Sequence, residues 1–166
     1  MKLYKSIIIS IVIIVLSSCG PATSIAKQSS VPMPDIGAEI QQGKYLEVMA
    51  PDGWNTFKTN KIISLAIRNV SESPISSGPD FGARIFIRTD EKWLEVQNKI
   101  IYENDPFTLE PSDNWNTETT ASIGVRPVLS DYSVPYDIRI FVIGDLVESG
   151  QESKKVASYI DLRLNP

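Results

Sequence analysis

From residue 45 onward, apolar and polar positions exchange places every second residue in short runs cut by turn-forming residues, and no stretch keeps the helical period beyond two turns. The clearest case is residues 61–70, where Ile63, Leu65 and Ile67 alternate with Ser64, Ala66 and Arg68. Residues 83–89 alternate again, and Asp90-Glu91 turns the chain directly into 92–97. Strands are also predicted at 45–49, 121–126, 136–146 and 156–164, the last two joined by a polar hairpin loop over 148–153. Pro51-Asp52-Gly53, the run 69–74 and Gly78-Pro79-Asp80-Phe81-Gly82 read as turns. Between 98 and 118, Ile100-Ile101-Tyr102 and Phe107-Thr108-Leu109 predict two short strands separated by Asn104-Asp105-Pro106. The expectation is an all-β fold of seven or eight strands, seven of them outside the 98–118 segment.

Alternation also assigns faces, because successive side chains of a strand point to opposite sides. Ile63, Leu65, Ile67, Ile85, Ile87, Leu94, Val96, Ile138, Ile140, Val142, Ile160 and Leu162 are predicted inward. The opposite positions, Arg84, Phe86, Arg88, Trp93, Arg139, Phe141, Tyr159 and Arg163, then form an outward face that mixes aromatic rings with arginine. Those residue types are enriched at interface cores, which makes the face a candidate binding surface. The ordinary account of such a face is that arginines stack on the rings as cross-strand pairs, or that the preceding segment or residues 98–118 fold over it.

The first 19 residues follow a different pattern. Lys2 and Lys5 precede an apolar run over residues 7–16 that only Ser10 interrupts, then Ser17, Ser18 and the chain's single cysteine, Cys19. A membrane span needs roughly 20 apolar residues, about twice this run, and the run has no polar stripe for an amphipathic surface helix. A charged start, an apolar centre and small residues at a cleavage site are the layout of an export signal. Leu16-Ser17-Ser18-Cys19 resembles the lipobox of bacterial lipoproteins, with Leu16, Ser17 and Ser18 as the signal-peptidase recognition positions. The resemblance implies cleavage before Cys19, a covalent diacylglycerol and fatty acyl group (palmitate) on that residue, and an extracytoplasmic, lipid-anchored place in the bacterial cell envelope.

Residues 20–34 are rich in Ser and Pro and poor in large apolar side chains, as in a tether. A flexible chain of this length reaches roughly 20–25 Å. The expected organisation is a signal peptide over 1–18, lipidated Cys19 and tether over 19–38, and one domain over 39–166. The order of the runs 61–70, 83–89 and 136–164 resembles bacterial immunoglobulin-like domains. That resemblance implies an antiparallel Ig-like β-sandwich; the paired cysteines of antibody domains are absent, and a fold of this kind assigns no function.

Composition narrows the chemistry. The chain has 166 residues, 16 basic and 20 acidic, for a net charge of −4; losing residues 1–18 removes two lysines and no acid, which leaves −6. This balance argues against nucleic acid as a partner, since phosphate binding draws on clustered Lys and Arg. A single cysteine allows no internal disulfide. With no histidine in the chain, the commonest general base and zinc ligand are missing. Glu103, Asp105, Glu110 and Asp113 are carboxylates of a kind used in glycoside hydrolysis, and Asp105, Asp113, Asn114 and Asn116 offer oxygen ligands suited to calcium. In a polar loop without an EF-hand pattern, solvated acids are the ordinary reading of both sets. Trp54 and Trp115 fall in loops, where indole either caps the end of a core or offers a stacking platform for a sugar or peptide.

The reading is therefore a non-catalytic binding module with no cofactor and no metal, tied to a membrane by its lipid and directed at a protein or polysaccharide partner. The alternatives are a structural or assembly spacer of the envelope and a small hydrolase working with acidic residues alone.

Overall fold

The computed structural model describes residues 31–102, 106–115, 119–147 and 152–166. Leu16 to Cys19 and the first part of the expected tether lie outside the described residues. So do Glu103, Asp105, Asn116 and most of the 148–153 loop.

Among the described residues the fold is all-β, with one mixed sheet, one antiparallel sheet and no α-helix. The strands are β1 (Glu39–Ile40), β2 (Leu46–Met49), β3 (Thr56–Lys58), β4 (Ile63–Asn69), β5 (Ile75–Ser77), β6 (Arg84–Arg88), β7 (Trp93–Val96), β8 (Phe107–Leu109), β9 (Thr120–Val125), β10 (Tyr136–Leu146) and β11 (Lys154–Asn165). The small sheet runs β2-β4-β9 and is wholly antiparallel. The large one is built on the β10–β11 pair, whose register runs without a break from Tyr136 opposite Leu164 to Leu146 opposite Lys154. Each of these long strands shares its outer edge between two short ones. β10 takes β6 along 138–141 and β5 at 145–146, whereas β11 takes β1 at 156–157 and β3 at 163–165.

Both pairings on the β11 edge are parallel, which corrects the expectation of a purely antiparallel arrangement. Strands of two or three residues carry too little alternation to show a period, so β1, β3 and β5 were not legible as strands. Ile100-Ile101-Tyr102, expected as a strand, is not one: Ile101 is 85% exposed. That segment is fixed instead by single contacts. Tyr102 Oη donates to the Gly124 carbonyl on β9, and Lys99 N–H donates to the Arg126 carbonyl at 2.7 Å.

The inward positions are largely those the alternation assigns. Ile63, Leu65, Ile67, Ile85, Ile138, Ile140, Val142 and Leu162 are buried in one hydrophobic cluster drawn from both sheets, and Ile87, Val96 and Ile160 pack on its margin. Leu94 is the exception at 38% exposed. It lies on β7 opposite Ile87 of β6, and β7 flanks β6 on the side away from β10.

Candidate functional site

The face of the large sheet turned away from that core is where alternation places it, but its rings are not open. Phe86 is 4% exposed and Phe141 is fully buried, which corrects their expected place on an exposed surface. They form a second, smaller apolar cluster with Ile36 and Ala157, bordered by Ala38, Ile40, Trp93, Ile143 and Tyr159. The cover is the segment leading into β1, so the stretch up to residue 38, expected as tether, contributes a buried Ile36 to the domain. Phe86 and Phe141 meet edge to face at 5.5 Å, and Tyr159 lies 5.5 Å from Phe141 on the paired strand.

The arginines of this face are engaged with neighbouring strands. Arg139 makes a two-pronged bond to Asp161 at 2.6 and 2.7 Å and lies over the rings of Tyr159 and Trp93 at 4.1 and 4.7 Å. Arg84 grips Glu95 through Nε and Nη2 at 2.7 and 2.6 Å and lies over Phe86. The hydrogen-bonded Arg84 guanidinium holds the Glu95 carboxyl below its ordinary range, and Glu95 raises Arg84 in turn. Arg163 pairs with Asp137 at 2.5 Å. Among the described residues Arg88 alone of the four has no ion pair, and it is exposed at the strand end. Fork-shaped pairs of this kind fix geometry across a sheet, and their arginines are already occupied. The face is thus a cross-strand lattice under a covering segment.

An open recess lies elsewhere, where the chain enters and leaves β3. Proline sets the start of a tight turn at Pro51–Gly53, in which Asp52 and Gly53 both take positive φ, and Trp54 N–H closes it on the Pro51 carbonyl at 2.9 Å. The chain then pairs with the end of β11, Arg163 N–H donating to the Asn55 carbonyl at 2.7 Å. It is pinned again at buried Thr59, whose N–H donates to the Asn165 carbonyl and whose hydroxyl donates to the Tyr132 carbonyl, both at 2.8 Å. Between these anchors is a groove of about 490 Å³ lined by Trp54, Phe57, Lys58, Lys61, Ile62 and Asn165, with the hydroxyl residues Thr56 and Ser64 on its wall.

Trp54 does not cap the core. Its side chain stands 59% exposed, tilted against Phe57 at 6.4 Å, and Ile62 across the groove is 57% exposed. Trp115, the other loop tryptophan, carries the Arg68 guanidinium at 4.9 Å from its ring centre, while Arg68 pairs with Glu47 at 2.5 Å and donates to the Asp113 carbonyl at 2.6 Å. Of the loop's candidate oxygen ligands and acids, Glu110, Asp113 and Asn114 are described; no group of three metal-ligating side chains occurs among the described residues. Trp54 was visible in the sequence as a loop tryptophan, but Phe57, Lys58, Lys61 and Ile62 carried no signal joining them to it, because β3 forms only by pairing with the distant end of β11.

The chain matches no protein-family model, no curated protein and no solved structure.

Proposed function

We propose that this chain is a lipid-anchored binding module on the extracytoplasmic face of a bacterial cell envelope, an immunoglobulin-like β-sandwich held to the membrane through Cys19 and acting by binding rather than by catalysis. Its address rests on the ordered signal of Lys2, Lys5, the apolar run to Leu16 and the small residues before the sole cysteine. Two acyl chains on one residue suit stable anchoring, where a single chain holds only marginally. The sandwich reading is supported by the main hydrophobic cluster, which draws on both sheets. What carries the functional part is the groove beside β3: a rigidly framed recess with an exposed tryptophan and no acid or histidine on its wall. That lining suits recognition, and it lacks the paired proton donor and acceptor that hydrolysis requires.

Two measurements test the reading. Cys19→Ser should abolish incorporation of labelled palmitate and leave residues 1–18 attached, as read by mass; a processed, labelled Cys19→Ser protein overturns the anchor. A photo-crosslinker placed at exposed Thr56 in the intact envelope should capture a discrete component, and its failure to capture any overturns the binding module.

A further inference from the structure

We infer that the β3 groove is a site for an acidic glycan, a saccharide stacked on Trp54 whose negative groups meet Lys58 and Lys61; this rests on the binding-module reading above and names its ligand class. A planar indole with most of its surface in water is costly to leave idle, and stacking against the apolar face of a sugar ring is a use that keeps its edge wet. The groove is concave and its volume, about 490 Å³, falls within the usual range of small-ligand sites. Residues with hydrogen-bonding side chains, Thr56, Ser64 and Asn165, line the groove with Trp54, which suits a polyhydroxylated ligand better than a lipid surface.

Charge gives the direction. The chain is acidic overall, yet the groove is lined by two lysines and no carboxylate. Lys61 has no ion pair among the described residues, and Lys58 Nζ donates to the Pro166 main-chain oxygen. A cationic recess draws in an anion, an effect that added salt screens. The frame is preorganised by the Thr59 and Arg163 backbone bonds, so binding orders few groups that were free.

The experiment uses the full chain in detergent on an array that sets uronic, sialylated, sulfated and phosphorylated oligosaccharides beside their neutral counterparts, followed by calorimetry on the best-retained sugar. An acidic sugar should be retained about tenfold or more above its neutral partner, with affinity falling as salt rises. Trp54→Ala should weaken binding at least tenfold without lowering the melting temperature, since the ring is exposed. Lys61→Gln should weaken it severalfold and flatten the salt dependence. Acidic and neutral sugars bound alike, no acidic sugar retained, or Trp54→Ala without effect each overturns the inference. Binding to phosphatidylglycerol vesicles in place of sugars does so as well and assigns the groove to the membrane surface. Any of these results leaves the binding-module reading standing if the Thr56 crosslinker still captures an envelope component, and takes it down if the crosslinker captures none.

Discussion

Single residues set several of the constraints on this fold. Asn69 ends β4 fully buried, and its side chain is satisfied on both sides. Its amide donates to the carbonyls of Ser73 and Leu109 at 2.9 and 2.8 Å, and its oxygen accepts from the Ser71 N–H and hydroxyl at 2.9 and 2.7 Å. It shapes the turn after β4 and ties it to β8. Asn69→Ala should cost about 3 kcal/mol, because it leaves the Ser73 and Leu109 carbonyls and the Ser71 N–H without their partner; urea unfolding measures this, and a cost below about 1 kcal/mol refutes the role. Phe81 shows a related compromise. It is fully buried at a positive φ of 53°, a conformation unfavourable for a bulky residue, and is held there by an edge contact to Phe107 at 4.7 Å and by its carbonyl accepting the Ile143 N–H at 2.7 Å. Gly144 is needed for a different reason: a Cβ there would sit 2.4 Å from Ile75 Cγ2, so the β10–β5 crossing requires a residue without a side chain.

At the scale of elements, β1 has only two residues and is held less by its ladder than by the charges around Glu39. That carboxylate accepts from Lys154 Nζ and Gln41 Nε2 and bonds the Tyr45 hydroxyl at 3.2 Å, with the Lys44 ammonium at 3.9 Å. Hydrogen bonding to Lys154 holds the Glu39 carboxyl below its ordinary 4.5, and the same bond raises the Lys154 ammonium above 10.5. A carboxylate with a lowered folded pKa adds stability that is present above the unfolded value and lost as pH falls through the folded one. An ammonium with a raised pKa adds stability that is complete below the unfolded value and lost as pH rises through the folded one. β1 is therefore held most firmly between about 4.5 and 10.5. Both groups are open to solvent, so the effect is local and small for the whole fold. Hydrogen exchange, corrected for its intrinsic rate, should show β1 losing protection as pH falls below about 4.5. Glu39→Gln should start less protected and lose little more; an equal fall in wild type and variant refutes the clamp.

For the whole molecule, the segment before β1 acts as a third layer over the outer face of the large sheet. Deleting residues 31–38 removes Ile36 from over Phe86 and Phe141 and should lower the melting temperature by roughly 5–10 °C, from the loss of a few kcal/mol of apolar burial, with a rise in binding of a hydrophobic dye. Unchanged melting and dye binding would show the cover to be idle. The core faces of β4, β6, β10 and β11 were legible in the sequence because period-two alternation is a local property: Ile63, Leu65, Ile67, Ile138 and Ile140 announce one buried side whatever the strand pairs with. The same rule named the members of the opposite face but not its fate, since covering Phe86 and Phe141 takes Ile36, some fifty and a hundred residues away in sequence. The groove was illegible for the same reason, since Trp54 and Asn165 become neighbours only through a parallel three-residue pairing at the end of β11. The sequence by itself determined the longer strands, most of their inward face and the absence of histidine and of an internal disulfide; tertiary structure alone decided the two- and three-residue strands and which outward residues are covered and which stand open, because these depend on contacts between segments far apart in the chain.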